Sequence, residues 1–562
     1  MSNDNNADPW SAANFALIEA SLWQEDQAQP TNTAWLAGSW QDQAHFWKAL
    51  QVYSDRRKAS PSRSTLWKNY DFYHDLLMCH KDQNLAALIC FEQGQWHTYS
   101  YAELTQTVNA LAATWEQLGV QAGDTLAILH PLGAHWFSAM LAGLRLGLVI
   151  CILPPQGNAF VERRLANLAP QWLAIDPLYR HQLTASWQDK VLPNTLSALA
   201  PMRRSFEYIG TDSVAQCFDP SGESIDTPTP VTADSLYLGA LRDSIFALGI
   251  KPGQVCAAPG WHVLESQPAL IMAVLLSGAT WLHIELEELE KTPGRLLEQA
   301  IDVLGVSRPL RELLQANPPA GEKPWRYWFR QPAESADYSL WQEFIQTQQL
   351  QQVYAGNVLW STVRGGAMLF SARYRGQIPL RIMPAAGKTW QLAIIEAPEL
   401  PNVAGWGRIA LGKADEDKII WSDTPYILAP YRTTWTYLGQ YPRGRAARTY
   451  PSQEVVDLLA PQVAYLAIVE TPIYSGDDPR QVLLVFGNNI DTQALHKHIE
   501  SELGAEFLPD RIECLPLLPK LDKAGGADQA WCQQHYESGE LYRRVRSPVF
   551  LCSSALKQMI LG

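Results

Sequence analysis

The chain has 562 residues, more than one hydrophobic core organises, so two or more domains are expected. Its 47% apolar and 18% charged residues are those of an ordinary globular protein. A net charge of −13 without a clustered Lys/Arg stripe argues against a nucleic-acid partner. The eight cysteines are scattered, with no CxxC or Cys/His spacing, so neither zinc nor a disulfide framework is indicated. Tryptophan is abundant at 22, which predicts large buried aromatic clusters.

The opening "MSNDNNADPW" is polar and acidic, without the basic and apolar regions of a leader, and no window approaches a membrane span. The expected compartment is the cytoplasm. Residues 1–65 form a polar, Trp-rich extension in which "FWKALQVYSDRRKASPSRS" reads as a short helix and a loop. An α/β pattern follows. "LAALICFE" reads as a strand. "TYSYAELTQTVNALAATWEQLGV" reads as a helix, with Leu104, Val108, Leu111 and Trp115 on one face and Ser100 as its cap. "DTLAILH", "AHWFSAMLAGLRLG" and "LVICILP" continue as strand, helix and buried strand. Such alternation implies a largely parallel, covered sheet.

The unit beginning at Leu118, "LGVQAGDTLAILH", is echoed from Leu248 by "LGIKPGQVCAAPG", with Gly147 and Gly278 in matching places. Two related sub-lobes facing one cleft are expected. Between Gly356 and Leu411 the strings "IPLRIMPAAG", "TWQLAIIEA" and "GRIALG" read as a small β sub-lobe. A linker carrying Pro442, Gly444 and Pro451 leads to a compact α+β unit. There "AYLAIVE" and "QVLLVFG" read as strands. "IDTQALHKHIESELG" reads as a helix capped by Asp491, with Leu495, Ile499 and Leu503 on one face and Gly504 beyond its end.

In this order the pieces resemble the AMP-forming acyl-activating superfamily of acyl-CoA synthetases, peptide-synthetase adenylation domains and luciferase, over about residues 35–535. "AHFWKAL", "VLGVSRPLRELL", "LWSTVRGGAML" and "YRGQIPL" are similar to the acetyl- and acetoacetyl-CoA synthetase branch. The resemblance implies an α/β fold with a large N-terminal domain over residues 66–440 and a small α+β C-terminal domain over residues 441–562. The N-terminal domain divides into two α/β sub-lobes, about 66–215 and 216–345, and a β sub-lobe, 346–440. It also implies a reaction. A carboxylate attacks the α-phosphate of ATP, pyrophosphate leaves, and a thiol takes the acyl group. Positioning and charge neutralisation carry such chemistry.

The residues that should do this are largely replaced. The phosphate loop, T/S-S-G-T-T-G-x-P-K-G in the family, matches "PSGESIDTPTPV". Ser221, Gly222 and Ser224 fit it. Glu223 and Asp226 add negative charge, Ile225 falls on the second Gly, Thr229 on the Lys, and Pro230 removes a donor. In "LWSTVRGG", Trp360, Thr362, Gly365 and Gly366 match an acyl/adenylate-cleft motif. Val363 falls on its Mg²⁺-binding Glu, with Arg364 beside it, so no metal is expected. Asp423 in "WSDTP" is the better candidate for the ribose Asp, read here as a turn residue; "YRTTW" has Trp435 at that position. Gln440 replaces the Arg after "LG", and the acidic hinge residue falls on Pro442 or Arg443. In "LPKLDKAGGADQAW", Gly526 takes the catalytic Lys position when Gly525 and Asp528 are aligned, leaving Lys520 and Lys523 as candidate substitutes.

The expectation is a pseudoenzyme without cofactors that binds an acyl ligand or acyl-CoA, or partners an acyl-carrier protein or a biosynthetic enzyme. The alternative is an active acyl-CoA or carrier-protein ligase using ATP/Mg²⁺ and CoA with relocated groups. A third reading, a repurposed enzyme, would use Cys217 or His262 as nucleophile or base, but no partner is paired with either in the sequence.

Overall fold

A computed structural model describes all residues except 1–7, 28–30, 59, 156–157, 195–203, 219–226, 262, 320, 333–337, 395–396, 403–404, 416–417, 441–451, 471–480, 489, 505–507, 523–524 and 546–562. The chain divides into a larger unit holding most of residues 1–438 and a smaller one built on residues 439–562.

In the larger unit one sheet has five strands in the order Pro228–Thr232, Ser213–Phe218, Val149–Ile152, Thr125–Leu129, Trp172–Ile175. All its pairings are parallel except that of Pro228–Thr232 with Ser213–Phe218. Helices Tyr101–Gln117 and Ala134–Leu146 pack together beside it. The first of these has the predicted cap. Ser100 accepts from the Glu103 N–H while the Glu103 carboxylate accepts from the Ser100 N–H, so two open donors are satisfied at once.

The second sheet has eleven strands. Its parallel centre runs Tyr354–Ser361, Tyr327–Arg330, Val303–Gly305, Val255–Ala257, Thr280–His283, Ala86–Glu92. Strand pairing therefore cuts across chain order. Ala86–Glu92 joins the sheet of Thr280–His283, while Ser213–Phe218 and Pro228–Thr232 join the first. The third sheet runs Ala397–Pro401, Thr389–Ile394, Gly407–Asp415, Lys418–Tyr431, Thr434–Gln440, whereas Tyr354–Ser361, Gly366–Phe370 and Arg373–Arg375, from the span expected as a β sub-lobe, belong to the second sheet. Of "IPLRIMPAAG" only Met383–Pro384 is a strand, and it pairs with Gly366–Phe370.

The sequence echo extends to hydrogen bonds. Gly123 N–H donates to the Gly147 carbonyl and Gly253 N–H to the Gly278 carbonyl, both at 2.9 Å. Asp124 Oδ2 accepts from Gln121 N–H, and Gln254 Oε1 accepts from Lys251 N–H in the same place. Gly147 and Gly278 both adopt left-handed backbone, φ 84° and 75°, where a helix ends and turns straight into a strand.

The Trp-rich extension is part of this core. Trp10, Phe15, Phe46 and Trp35 form an aromatic cluster that reaches Phe246. Trp23–Gln24 adds a parallel strand to Arg373–Tyr374, and the Trp23 ring faces the Arg326 and Arg373 guanidinium groups, each 4.4 Å from its centroid. In the smaller unit, strands Tyr465–Glu470, Gln481–Phe486 and Arg511–Leu515 form a sheet in that order. Leu495, Ile499 and Leu503 of helix Thr492–Leu503 cover one face. Asp491 caps that helix through the Gln493 and Ala494 N–H groups.

Among the glycines of the described residues, the tightest approach is between helix Ala233–Ile245 and the turn after Tyr354–Ser361. A Cβ on Gly239 would collide with the Gly365 carbonyl, whereas one on Gly294 would meet nothing within 4 Å. Gly239→Ala should therefore cost about 3 kcal/mol or more. Gly294→Ala should stay within about 0.5 kcal/mol of the parent. Urea unfolding of the two variants measures both, and equal stabilities would contradict the packing described.

Candidate functional site

The motif "LWSTVRGG" is the end of one strand, a turn, and the start of the next. Strand Tyr354–Ser361 leads into a tight helical turn, Thr362–Arg364. Gly365 then takes left-handed backbone, φ 73°, and Gly366–Phe370 returns antiparallel. Trp360 is buried in the main core. Thr362 Oγ1 donates to the Glu265 carbonyl at 3.1 Å, and Arg364 donates to Ser361 Oγ at 3.3 Å. Both glycines are dictated by helix Ala233–Ile245. A Cβ on Gly365 would strike Ser235, and one on Gly366 would strike the Asp243 carboxylate.

That helix carries a buried ion pair which the sequence did not reveal. Arg242 spans Asp243 with two hydrogen bonds, Nε to Oδ1 at 2.6 Å and Nη2 to Oδ2 at 3.0 Å. Asp243 Oδ2 also accepts from the Ala367 N–H at 2.6 Å. Arg242 donates to the Ala367 carbonyl at 2.7 Å and the Ala386 carbonyl at 3.5 Å. Both side chains are fully buried. Burial lifts the Asp243 carboxyl above its usual range, against the pull of Arg242 and the Ala367 N–H.

A second group missed in the sequence is Lys388, half-buried, whose Nζ donates to the Arg364 carbonyl at the end of the turn. Desolvation, reinforced by Arg242 and Arg364 and opposed by Asp243, brings its pKa down to about 7. No signal in "AAGKTW" marks it. Its meaning comes from a turn and a helix far away in sequence.

The resemblance implies Mg²⁺ here, and the described residues of the turn do not fit it. The Val363 side chain offers no oxygen, and an ammonium is bound to the next residue's carbonyl. Among the described residues no group of three or more His, Cys, Asp or Glu could hold a metal ion.

Ser221, Gly222 and Ser224 lie outside the described residues. The loop's flanks pair as a hairpin, Phe218 opposite Pro228 and Cys217 opposite Thr229. Thr229, at the expected Lys position, is thus exposed on a strand. Cys217 is buried in Ser213–Phe218, and His262 lies outside the described residues.

Asp423 needs a correction, because it is not in a turn. It sits inside the 14-residue strand Lys418–Tyr431, opposite Ala410. The "SDTP" string looked like a turn. The strand continues because the register shifts between Arg408 and Ala410, giving Pro425 a bulge rather than a ladder position. Asp423 Oδ2 is engaged by Arg408 at 2.7 Å, while Oδ1 has no hydrogen-bond partner among the described residues.

Lys520 pairs with Asp528 at 2.8 Å, and Asp528 also caps helix Gln529–Glu537 through the Trp531 N–H. Gly526 donates its N–H to Asp522 at 2.9 Å. Lys523 and the hinge positions Pro442 and Arg443 lie outside the described residues.

Residues 78–193 match the family described as AMP-binding enzyme. No curated protein matches the chain. Among solved structures it is similar to a fatty acyl-adenylate ligase from L. pneumophila in complex with acyl adenylate and pyrophosphate. That match has a TM-score of 0.64 and 12% identity, covering 84% of this chain and 96% of that one. It is also similar to acetoacetyl-CoA synthetase from Streptomyces lividans, with TM-score 0.60, 14% identity, and coverage of 90% and 94%. An artificially fused adenylation-PCP di-domain from Klebsiella oxytoca gives TM-score 0.60, 14% identity, and coverage of 80% and 94%. The fold is that of the acyl-adenylate and acyl-CoA ligases, a large N-terminal domain and a smaller C-terminal one. No described helix is long and apolar enough to cross a membrane.

Asp243→Asn would leave the Arg242 guanidinium buried without a counter-charge, so a loss of about 3–5 kcal/mol is expected in chemical denaturation. Lys388 gives a pH signature. Its folded pKa, about 7, lies below its unfolded value, so the unfolded chain binds the extra proton between them. Its contribution to stability must rise as pH increases above 7 and fall away as pH drops through 7. The stability difference between the parent and Lys388→Met, followed from pH 6 to 9, should move in the parent's favour as pH rises. A flat difference would contradict the environment assigned to this lysine.

Proposed function

We propose that this chain is a catalytically degenerate relative of the acyl-adenylate synthetases, a pseudoenzyme that binds an acyl ligand, an acyl-CoA or an acyl-carrier protein without adenylating it. One observation carries the reading: the turn that should hold Mg²⁺ presents Val363, and its Arg364 carbonyl is bound by the Lys388 ammonium. A nucleotide-transfer site depends on preorganised positive charge at the phosphates, and one lost donor costs about 3 kcal/mol, roughly 10²–10³ in rate. The loop Lys position is Thr229, the metal position Val363 and the C-terminal Lys position Gly526. Contributions within one site do not add. Even a fraction of their sum, though, would leave a poor ligase.

Packing, by contrast, is kept. Trp360, Gly365 and Gly366 are held by core contacts that need no nucleotide. A carrier-protein partner is the interaction we favour. The structural neighbour in which an adenylation domain is fused to a PCP supports it. The competing reading is an active AMP-forming ligase with Lys520 or Lys523 in the catalytic role. Lys520 is already committed to Asp528, which weighs against that use.

Pyrophosphate exchange with ATP/Mg²⁺ across short, long and aromatic carboxylic acids separates the two. No exchange above background, together with a thermal shift on adding acyl-CoA or an acylated carrier protein, is expected. Exchange that disappears in Lys520→Ala or Lys523→Ala would overturn the proposal.

A further inference from the structure

The two echoed units differ in one respect. Each has a groove between the loop that leads into its strand and the end of the helix that follows. In the second unit Ile250, Pro252 and Ser277 line it. In the first unit Val120, Ala122 and Leu146 line it, at the matching places counted from Leu118 and Leu248 and from Gly147 and Gly278. The second groove is filled by the chain itself. Ser54, Arg57 and Lys58, at the end of helix Gln43–Asp55, seat in it and leave about 10 Å³, the space of one water. The first groove leaves about 650 Å³, with Arg204, Phe206 and Glu207 as its far wall. We propose that the first groove receives the C-terminal end of a helix from a partner protein, as its counterpart receives the end of helix Gln43–Asp55. It borders the N-terminal end of strand Thr125–Leu129, whereas the motif turn follows the C-terminal end of Tyr354–Ser361 in the other sheet, so docking there does not depend on whether the chain adenylates.

The two grooves are otherwise built alike. A Cβ on Gly147 would strike the Phe206 ring, and one on Gly278 the His80 ring. Each unit thus carries one aromatic ring over its turn glycine, and only the helix end lacks an equivalent in the first. Charge does not select the occupant. Arg57 pairs with Glu19 at 3.0 Å and Lys58 with Asp55 at 3.5 Å, so the seated helix end brings its own counter-charges. In the first groove Arg204 pairs with Glu207, the Arg145 guanidinium lies 5.5 Å from the Tyr73 ring centroid, and Glu116 is likewise engaged. Shape and apolar surface are what the groove offers.

The rim adds an independent observation. Trp67 is the third residue of the turn Thr65–Lys68, closed by the Lys68 N–H on the Thr65 carbonyl at 3.0 Å, and its backbone is left-handed, φ 60°. That position suits Gly or Asn, and a bulky residue there is strained. The residue is 44% exposed, so packing within this chain does not account for a tryptophan. Ile209, 60% exposed, lies across from Asn69, whose side-chain amide donates to Glu207 of the groove wall. An exposed tryptophan beside a groove is a common anchor of protein contacts.

The probe is a fluorescein-labelled peptide of residues 43–58 of this chain, added to the full-length protein and followed by anisotropy. Saturable binding is expected, with a dissociation constant of about 1 mM or tighter. Ala122→Trp, at an exposed position lining the first groove, should weaken it about tenfold or more with an unchanged melting temperature. Trp67→Gly should also weaken it, by about threefold or more, while the melting temperature stays level or rises because the strain at φ 60° is relieved. A Trp67 that served folding alone would lower the melting temperature and leave binding intact, which would remove it from the contact. Binding that Ala122→Trp leaves unchanged would mean exchange with the chain's own helix in the second groove, and would overturn the proposal. Absence of binding would overturn it too, including the case in which residues 195–203, which adjoin Arg204 and lie outside the described residues, take the groove.

Discussion

The Arg242–Asp243 pair is the constraint on which the site is built. Two adjacent residues of one helix neutralise each other, and between them they hold the Ala367 N–H, the Ala367 carbonyl and the Ala386 carbonyl. The helix thereby fixes the strand that leaves the motif turn and the segment that leads to Lys388. Fully buried charges are costly unless their donors and acceptors are engaged, and here the backbone of two other segments supplies partners beyond the pair itself. The contact is so close that Gly239, Gly365 and Gly366 have no room for a side chain. The glycines of the motif therefore persist for a reason independent of catalysis.

That independence lets the packing of the motif stand apart from any catalytic role. Trp360 and Thr362 are held by the core and by the Glu265 carbonyl. None of these contacts requires the side chain at position 363 to be charged. Valine there costs the fold nothing that the packing reveals, while it deprives a metal of its ligand. Lys388 bonds the carbonyl of Arg364 at the end of the same turn.

What the sequence could reveal follows the range of the forces involved. Helix Tyr101–Gln117 was legible because its cap, its apolar stripe and its end lie within one stretch of chain. The echo between Leu118 and Leu248 was legible because a left-handed glycine and a capping Asp124 or Gln254 leave the same short pattern twice. Sheet membership was not. Nothing local tells Ala86–Glu92 that its neighbour is Thr280–His283. Asp423 misled for the opposite reason, since Ser, Asp, Thr and Pro in a row imitate a turn, and only the register shift opposite them keeps the strand going. In the motif turn the replacement at Val363 was visible as a missing oxygen. The cation beside it was not, because Lys388 acquires its role from a carbonyl and a helix that meet only in the folded chain.

The extension at the N-terminus completes this logic. Trp47 donates its indole N–H to the Gly387 carbonyl at 3.2 Å, and Ser39 Oγ accepts from the Gly387 N–H at 3.0 Å. Gly387 directly precedes Lys388, so both backbone groups next to the lysine are tied to the extension. On the other side Arg242 reaches Ala386. The segment carrying the ammonium is thus clamped between the Trp-rich helices and the central helix, and its position is set by packing rather than by a ligand. Among the tryptophans, Trp47 makes this tie directly, so a residue that the sequence marked only as core also fixes the backbone beside the turn.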